Sequence, residues 1–219
     1  MIRLSGDAAE ERLNRAWDTI LARDPADQEI IHVLAEPSPE PEWIAGFGPF
    51  RAWADDGERA SGKVWEMFAA IAGTWPYIAG ARRAAAAGIP NTRILVLRQD
   101  RLESAPAWFR YLALVHLPGI SAMSGEDLYL VRAEDCRAAG LAVRNHDVNL
   151  FGAAGAMTAG GDNGDVEWRA FVDEVQDPEL FRQEHDYLTA VRAFTARHGV
   201  LIALPSSLQL AARPAKTGR

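Results

Sequence analysis

Thr92-Arg-Ile-Leu-Val-Leu97 decides the fold of this chain. It is short, apolar and β-branched, and turn residues bound it. Such a run reads as a strand buried on both faces. Glu29-Ile-Ile-His-Val-Leu-Ala35 shares its character, and Asp147-Val-Asn-Leu-Phe151 reads as a third strand. Working outward, residues 75–88 read as a helix opened by Pro76 and closed by Gly88. Residues 7–23 carry Leu13, Trp17, Ile20 and Leu21 at helical spacing. Residues 61–72 and 105–117 read as helices, 127–131 as a strand and 133–139 as a short helix ended by Gly140. A hairpin across Gly160-Gly-Asp-Asn-Gly164 is expected next, joining 157–158 to 166–172. Leu180, Phe181, Tyr187, Leu188, Val191 and Phe194 then mark a long amphipathic helix over 178–197.

Strands separated by helices imply an α/β domain. The expected architecture is one mixed, mostly parallel sheet flanked by helices, with a C-terminal hairpin and a long helix. The expected domain covers 1–207: residues 1–60 hold the first helix, the first strand and a Pro- and aromatic-rich loop, and 60–207 hold the rest. The Arg-, Pro- and Lys-containing tail, 208–219, is expected to be disordered. Three prolines within Pro37-Ser-Pro-Glu-Pro41 stop any regular element between the first strand and the aromatic segment 43–56.

The chain has 219 residues, 48% hydrophobic and 24% charged, enough to bury a core without a metal or disulfide staple. A net charge of −7 argues against direct nucleic-acid binding, which needs a basic footprint. The single cysteine, Cys136, excludes an intramolecular disulfide and points to a reducing cytoplasm. No run approaches the roughly 20 apolar residues of a membrane helix, and the first residues carry no apolar signal core. High Ala and Arg with few Lys suggests a GC-rich, actinobacterial source.

The familiar motifs are incomplete. Gly46-Phe-Gly48 has Arg51 where a dinucleotide fingerprint needs its third glycine. Gly119-Ile-Ser121-Ala-Met123 lacks the last glycine of a nucleophile elbow. Asp162-Asn-Gly-Asp165 lacks the bidentate Glu of a calcium loop and reads as a turn. His32 lies within an apolar strand and His116 at the end of an apolar helix, where histidine is usually a satisfied core or cap residue. His185 reads as part of a solvated face. Cys136 reads as a packing residue with no histidine adjacent to activate it. No metal ligand set and no cofactor emerge.

Taken together, Thr74-Trp-Pro-Tyr77, the Ala-rich helix ending Ala87-Gly-Ile89, Thr92–Leu97 and Arg144-Asn-His-Asp-Val-Asn-Leu-Phe151 resemble small, catalytically degraded phospholipase D-like domains. Gly125-Glu-Asp127, Asp147–Phe151 and Asp177-Pro-Glu-Leu180 resemble, more narrowly, an actinobacterial family of unknown function often found beside helix-turn-helix regulators. The resemblance covers about residues 60–200. It implies a superfamily whose active members use His-x-Lys-x-x-x-x-Asp, with histidine attacking phosphorus and lysine neutralising phosphate. Here His146 is present, but Val148 stands at the lysine and Ala153 at the aspartate, and there is no second copy.

The resemblance therefore implies a non-catalytic domain that binds a small ligand or a protein partner in a regulatory role. A DNA-binding regulator is one candidate partner and a second copy of the chain another. Ligands of open α/β sheets sit beyond the carboxyl ends of the parallel strands. Arg98, Arg144 and Asn149, with Trp75 and Tyr77 at a helix start, are the expected ligand-binding residues. The alternative is a small transferase or hydrolase of specialised metabolism, with His146 as general base oriented by Asp147 or Glu126.

Overall fold

The computed structural model describes residues 6–34, 76–98, 121, 124–160 and 168–202. The helices expected over 61–72 and 105–117, the loop 36–56, His116 and the 208–219 tail lie outside the described residues.

Helix α1 spans Gly6–Leu21. Leu13, Ala16, Trp17 and Ile20 form its buried stripe, at the i, i+3, i+4, i+7 spacing of an amphipathic helix. Asp24 ends the segment by accepting the Ala26 N–H at 3.0 Å, which starts a short 3-10 turn, Pro25–Asp27. Strand β1 follows, Ile30–Leu34. Helix α2 is Pro76–Ala86, with proline where a helix has no use for an N–H. It closes on Gly88, whose φ of +81° is left-handed, and the Ile89 N–H reaches back to the Ala84 carbonyl at 3.0 Å. Gly80 lets α2 lie against α1: a Cβ there would stand 2.3 Å from the Trp17 ring.

Strand β2, Asn91–Leu97, is buried along its whole length. Then come β3 (Asp127–Arg132), α3 (Ala133–Ala138), β4 (Asp147–Phe151), β5 (Ala156–Gly160), β6 (Trp168–Val172), α4 (Pro178–His198) and β7 (Val200–Leu201). Among the described residues these seven strands form one sheet, in the order β6-β5-β4-β1-β2-β3-β7.

The α/β class, the helical cover and the long C-terminal helix agree with the sequence reading. The balance of strand directions corrects it. Only β1–β2 and β2–β3 are parallel; β1–β4, β4–β5, β5–β6 and β3–β7 are antiparallel. The sheet is thus mixed and mostly antiparallel. The reason is connection length. Parallel neighbours need a crossover of a dozen or more residues, which the long segments before β2 and β3 supply. Only Gly152–Gly155 separates β4 from β5, so the chain can do nothing but turn back. The expected hairpin is β5 on β6, running from Ala156↔Val172 to Gly160↔Trp168.

Alternation along the strands divides the core. Ile31, Val33, Ile94, Val96, Val148 and Leu150 meet Phe181, Leu188, Val191 and Phe194 of α4 on one face. Ile30, Phe151 and Met157 meet Trp17 and Ile20 of α1 and Ala81 and Ala84 of α2 on the other. Trp17 packs edge-on to Phe151, with centroids 5.0 Å apart. No helix among the described residues is long and apolar enough to cross a membrane.

Candidate functional site

A row of polar side chains crosses the face that α1 and α2 cover. Strand register puts Asn149 of β4 beside His32 of β1, and His32 beside Arg93 of β2. Side chains two apart on a strand share a face. The row therefore lies between Ile30 and Phe151 on one side and Leu34 and Leu95 on the other. All three residues are buried.

Arg93 does not stand alone. Its guanidinium donates to both carboxylate oxygens of Glu126, at 2.7 and 3.1 Å, and the Asn91 amide donates to the same carboxylate at 3.4 Å. The two charged side chains are 6% and 0% exposed. A forked pair of this kind offsets the large cost of removing two charges from water. Next to it, His32 is held well below the usual imidazole range. Burial is the main cause, and the positive charge of Arg93 pushes the same way. His32 is therefore neutral at pH 7. Asn149 is 3% exposed, and its Oδ1 has no hydrogen-bond partner.

The expected ligand and catalytic residues divide into separate places. Arg98 directly follows β2 and is half-buried, at the carboxyl end of the parallel strands. Asp147 opens β4 one step beyond the Val33–Val148 pair, which puts it at the same end of β1 and on the face of Asn149. Tyr77 belongs to the first turn of α2, but its side chain, like Trp75 as a whole, lies outside the described residues. Arg144 serves the opposite face. It pairs with Glu184 of α4 and stacks over the Tyr187 ring, 3.8 Å from its centroid. That pins the segment before β4 to the long helix.

His146 sits at this junction, half-buried, with Nδ1 3.2 Å from Asn145 Oδ1. Burial lowers its basicity, Arg144 lowers it further, and Glu184 works against both. Glu126 is far away. It lies in the Asn91–Ile30–Phe151 row, whereas His146 lies beyond Leu34 and three strands across. Strand spacings put their backbones about 20 Å apart. His146 and Glu126 therefore do not share a site. Of the expected trio only the adjacent His146 and Asp147 come near one another, and Glu126 instead anchors Arg93.

Cys136 is buried in the apolar core, and burial, aided by Asp135, pushes its thiol up to about 11. It stays protonated and unreactive near neutrality. His185 is exposed on α4, as its polar neighbours suggested. Among the described residues no group of three His, Cys, Asp or Glu side chains could hold a metal ion.

Arg93 and its role escaped the sequence reading, and His32 was read there as a core or cap residue. The available signal was a charged residue inside a strand otherwise fit for burial on both faces. Burial of such a charge demands a partner. Comparison with family models, with curated proteins and with solved structures finds no match for this chain.

Proposed function

We propose that this chain is a non-catalytic, phospholipase D-like domain that binds a small polar ligand in a regulatory role. Cytoplasmic residence and an actinobacterial source belong to the same proposal, on the single cysteine and the Ala- and Arg-rich composition. The observation that carries the binding reading is the bare Oδ1 of Asn149, buried beside a neutral His32 and a locked Arg93–Glu126 pair. Buried polar atoms are nearly always satisfied, by ordered water or a ligand where the protein supplies no partner, and we take the donor to Asn149 to be a ligand's. The half-buried Asp147 shares the face of Asn149 two residues away, toward the strand ends where open α/β sheets hold ligands.

The absence of chemistry is supported by Val148. It stands where the resemblance places the phosphate-neutralising lysine, and it is fully buried in the apolar core under α4. A cation cannot replace it without being desolvated.

The test has two arms. A thermal-shift screen of the full chain against small polar metabolites is expected to yield a compound that stabilises the wild type and has no effect on Asn149→Leu. A phosphodiesterase assay with an activated diester is expected to give the same background rate for the wild type and His146→Ala. Turnover that disappears in His146→Ala would overturn the non-catalytic reading. Stabilisation by a protein partner alone would replace the small ligand with a macromolecule.

A further inference from the structure

A cleft of 390 Å³ opens between α1 and the β6 edge of the sheet. Arg12, Ala16 and Thr19 of α1 form one side. Ala154, Phe171 and Asp173 form the other, around the β4–β5 turn and the end of β6. This is the amino end of β1, so the cleft is separate from the strand-end crevice of Asp147 and Arg98.

The charges in the cleft are only partly matched. Glu11 and Arg15, four residues apart and both exposed, pair with each other. Arg12 and Asp173 are both half-buried, and neither has an ion-pair partner among the described residues. They line one cleft without pairing with each other. Asp173 is also held in place. One of its oxygens, Oδ1, accepts the Val175 and Gln176 N–H groups at 2.9 and 2.7 Å, which fixes the carboxylate and leaves its charge without a cation. Ala16, Ala154 and Phe171 supply apolar lining.

A half-buried cation and a fixed anion in one small cleft, apart from each other and beside an apolar wall, complement a molecule carrying both charges. A carboxylate alone would leave Asp173 unmatched, and an amine alone would leave Arg12 unmatched. The volume is that of a site for a small ligand. We propose that the cleft binds a free α-amino acid with an apolar side chain, its carboxylate on Arg12 and its ammonium on Asp173.

Calorimetric titration of the full chain with L-leucine, L-leucinamide and 4-methylpentanoate tests this. L-leucine is expected to bind at least tenfold more tightly than either analogue, because each analogue lacks one charge. Arg12→Gln should weaken L-leucine at least tenfold and abolish its advantage over leucinamide. Asp173→Asn keeps the oxygen that accepts the two turn N–H groups, so the turn survives, and it should abolish the advantage over 4-methylpentanoate. Unchanged thermal unfolding of both variants would show that the losses are local. The proposal fails if L-leucine does not bind, if all three compounds bind equally, or if both substitutions leave L-leucine binding unchanged.

Discussion

The two faces of the sheet are built on different principles. Under α4 the central strands present Ile31, Val33, Ile94, Val96, Val148 and Leu150, without a charged side chain among them. Under α1 and α2 the same strands present Asn149, His32 and Arg93 in one row, with Glu126 and Asn91 next to them. Both faces are buried. The apolar face needs only volume and shape, so its stability is spread over many replaceable contacts. The polar face depends on particular partners, so one deletion there leaves a charge or a donor stranded. A sheet that keeps such a row in its centre accepts a stability risk that an all-apolar face would avoid.

The largest expected effect tests that dependence. Glu126→Ala should destabilise by about 3–5 kcal/mol in urea unfolding, because Arg93 is left buried without its partner. Replacing both, Arg93→Met with Glu126→Leu, should cost far less than the single change. If the double variant is as unstable as the single, the row holds the fold together in some way that pairing does not explain. On the apolar face Leu188→Ala should cost roughly 2–5 kcal/mol by cavity formation. There no second substitution of the pairing kind can restore the loss.

Acid should distinguish the faces next. His32 is neutral in the folded chain because burial holds its pKa down, whereas the unfolded chain takes up that proton near pH 6.5. Between these two values the unfolded state binds more protons, so stability falls as pH drops below about 6.5. The slope from this one group approaches about 1.4 kcal/mol per pH unit. His32→Gln should flatten that slope in urea unfolding measured from pH 7.5 to 5. His146 is shifted in the same direction but is only half-buried, so His146→Gln should flatten the slope less. Equal effects would mean that burial on the polar face is not what sets the slope.

Asn149→Leu is smaller and of opposite sign. Removing an unsatisfied buried acceptor should be neutral or stabilising by about 1 kcal/mol. A large loss instead would mean that Asn149 is structural, and would remove the support for a ligand there. The smallest effect concerns Cys136: iodoacetamide at pH 8 should leave it unmodified in the native chain and label it in urea, since its thiol is pushed up to about 11.

Much of the fold could be read from single stretches. Thr92–Leu97 is a strand because a β-branched, largely apolar run of that length has no better way to bury itself, and Val148, Leu150 and Phe151 give Asp147–Phe151 enough apolar surface to follow. The α4 stripe from Phe181 to Phe194 follows helical spacing closely enough to locate the helix within a residue or two. The direction of the strands could not be read so directly. The parallel reading came from their apolar character, yet β4 is fully buried beyond its first residue while running antiparallel to β1. Burial on both faces gives the same composition in either direction. β7 has two residues, too few for any pattern.

The candidate site was harder still. Asn149 is expected as a ligand-binding residue and Asp147 as the group that orients His146, and the two do lie on one face of β4. Glu126 was picked out for its acid and turned out to face Arg93, which belongs to a neighbouring strand 33 residues earlier. Residue spacing along the chain carries the identity of each helix and strand, because those depend on neighbours within a few residues. Register decides which side chains meet across strands, and register is set by packing of the whole sheet. The sequence by itself therefore determined an α/β chain with an apolar central sheet and a histidine, His146, just ahead of one of its strands. Only the tertiary structure decided that Arg93 belongs to Glu126, that His32 is neutral beside it, and that His146 stands on the far side of the sheet from both.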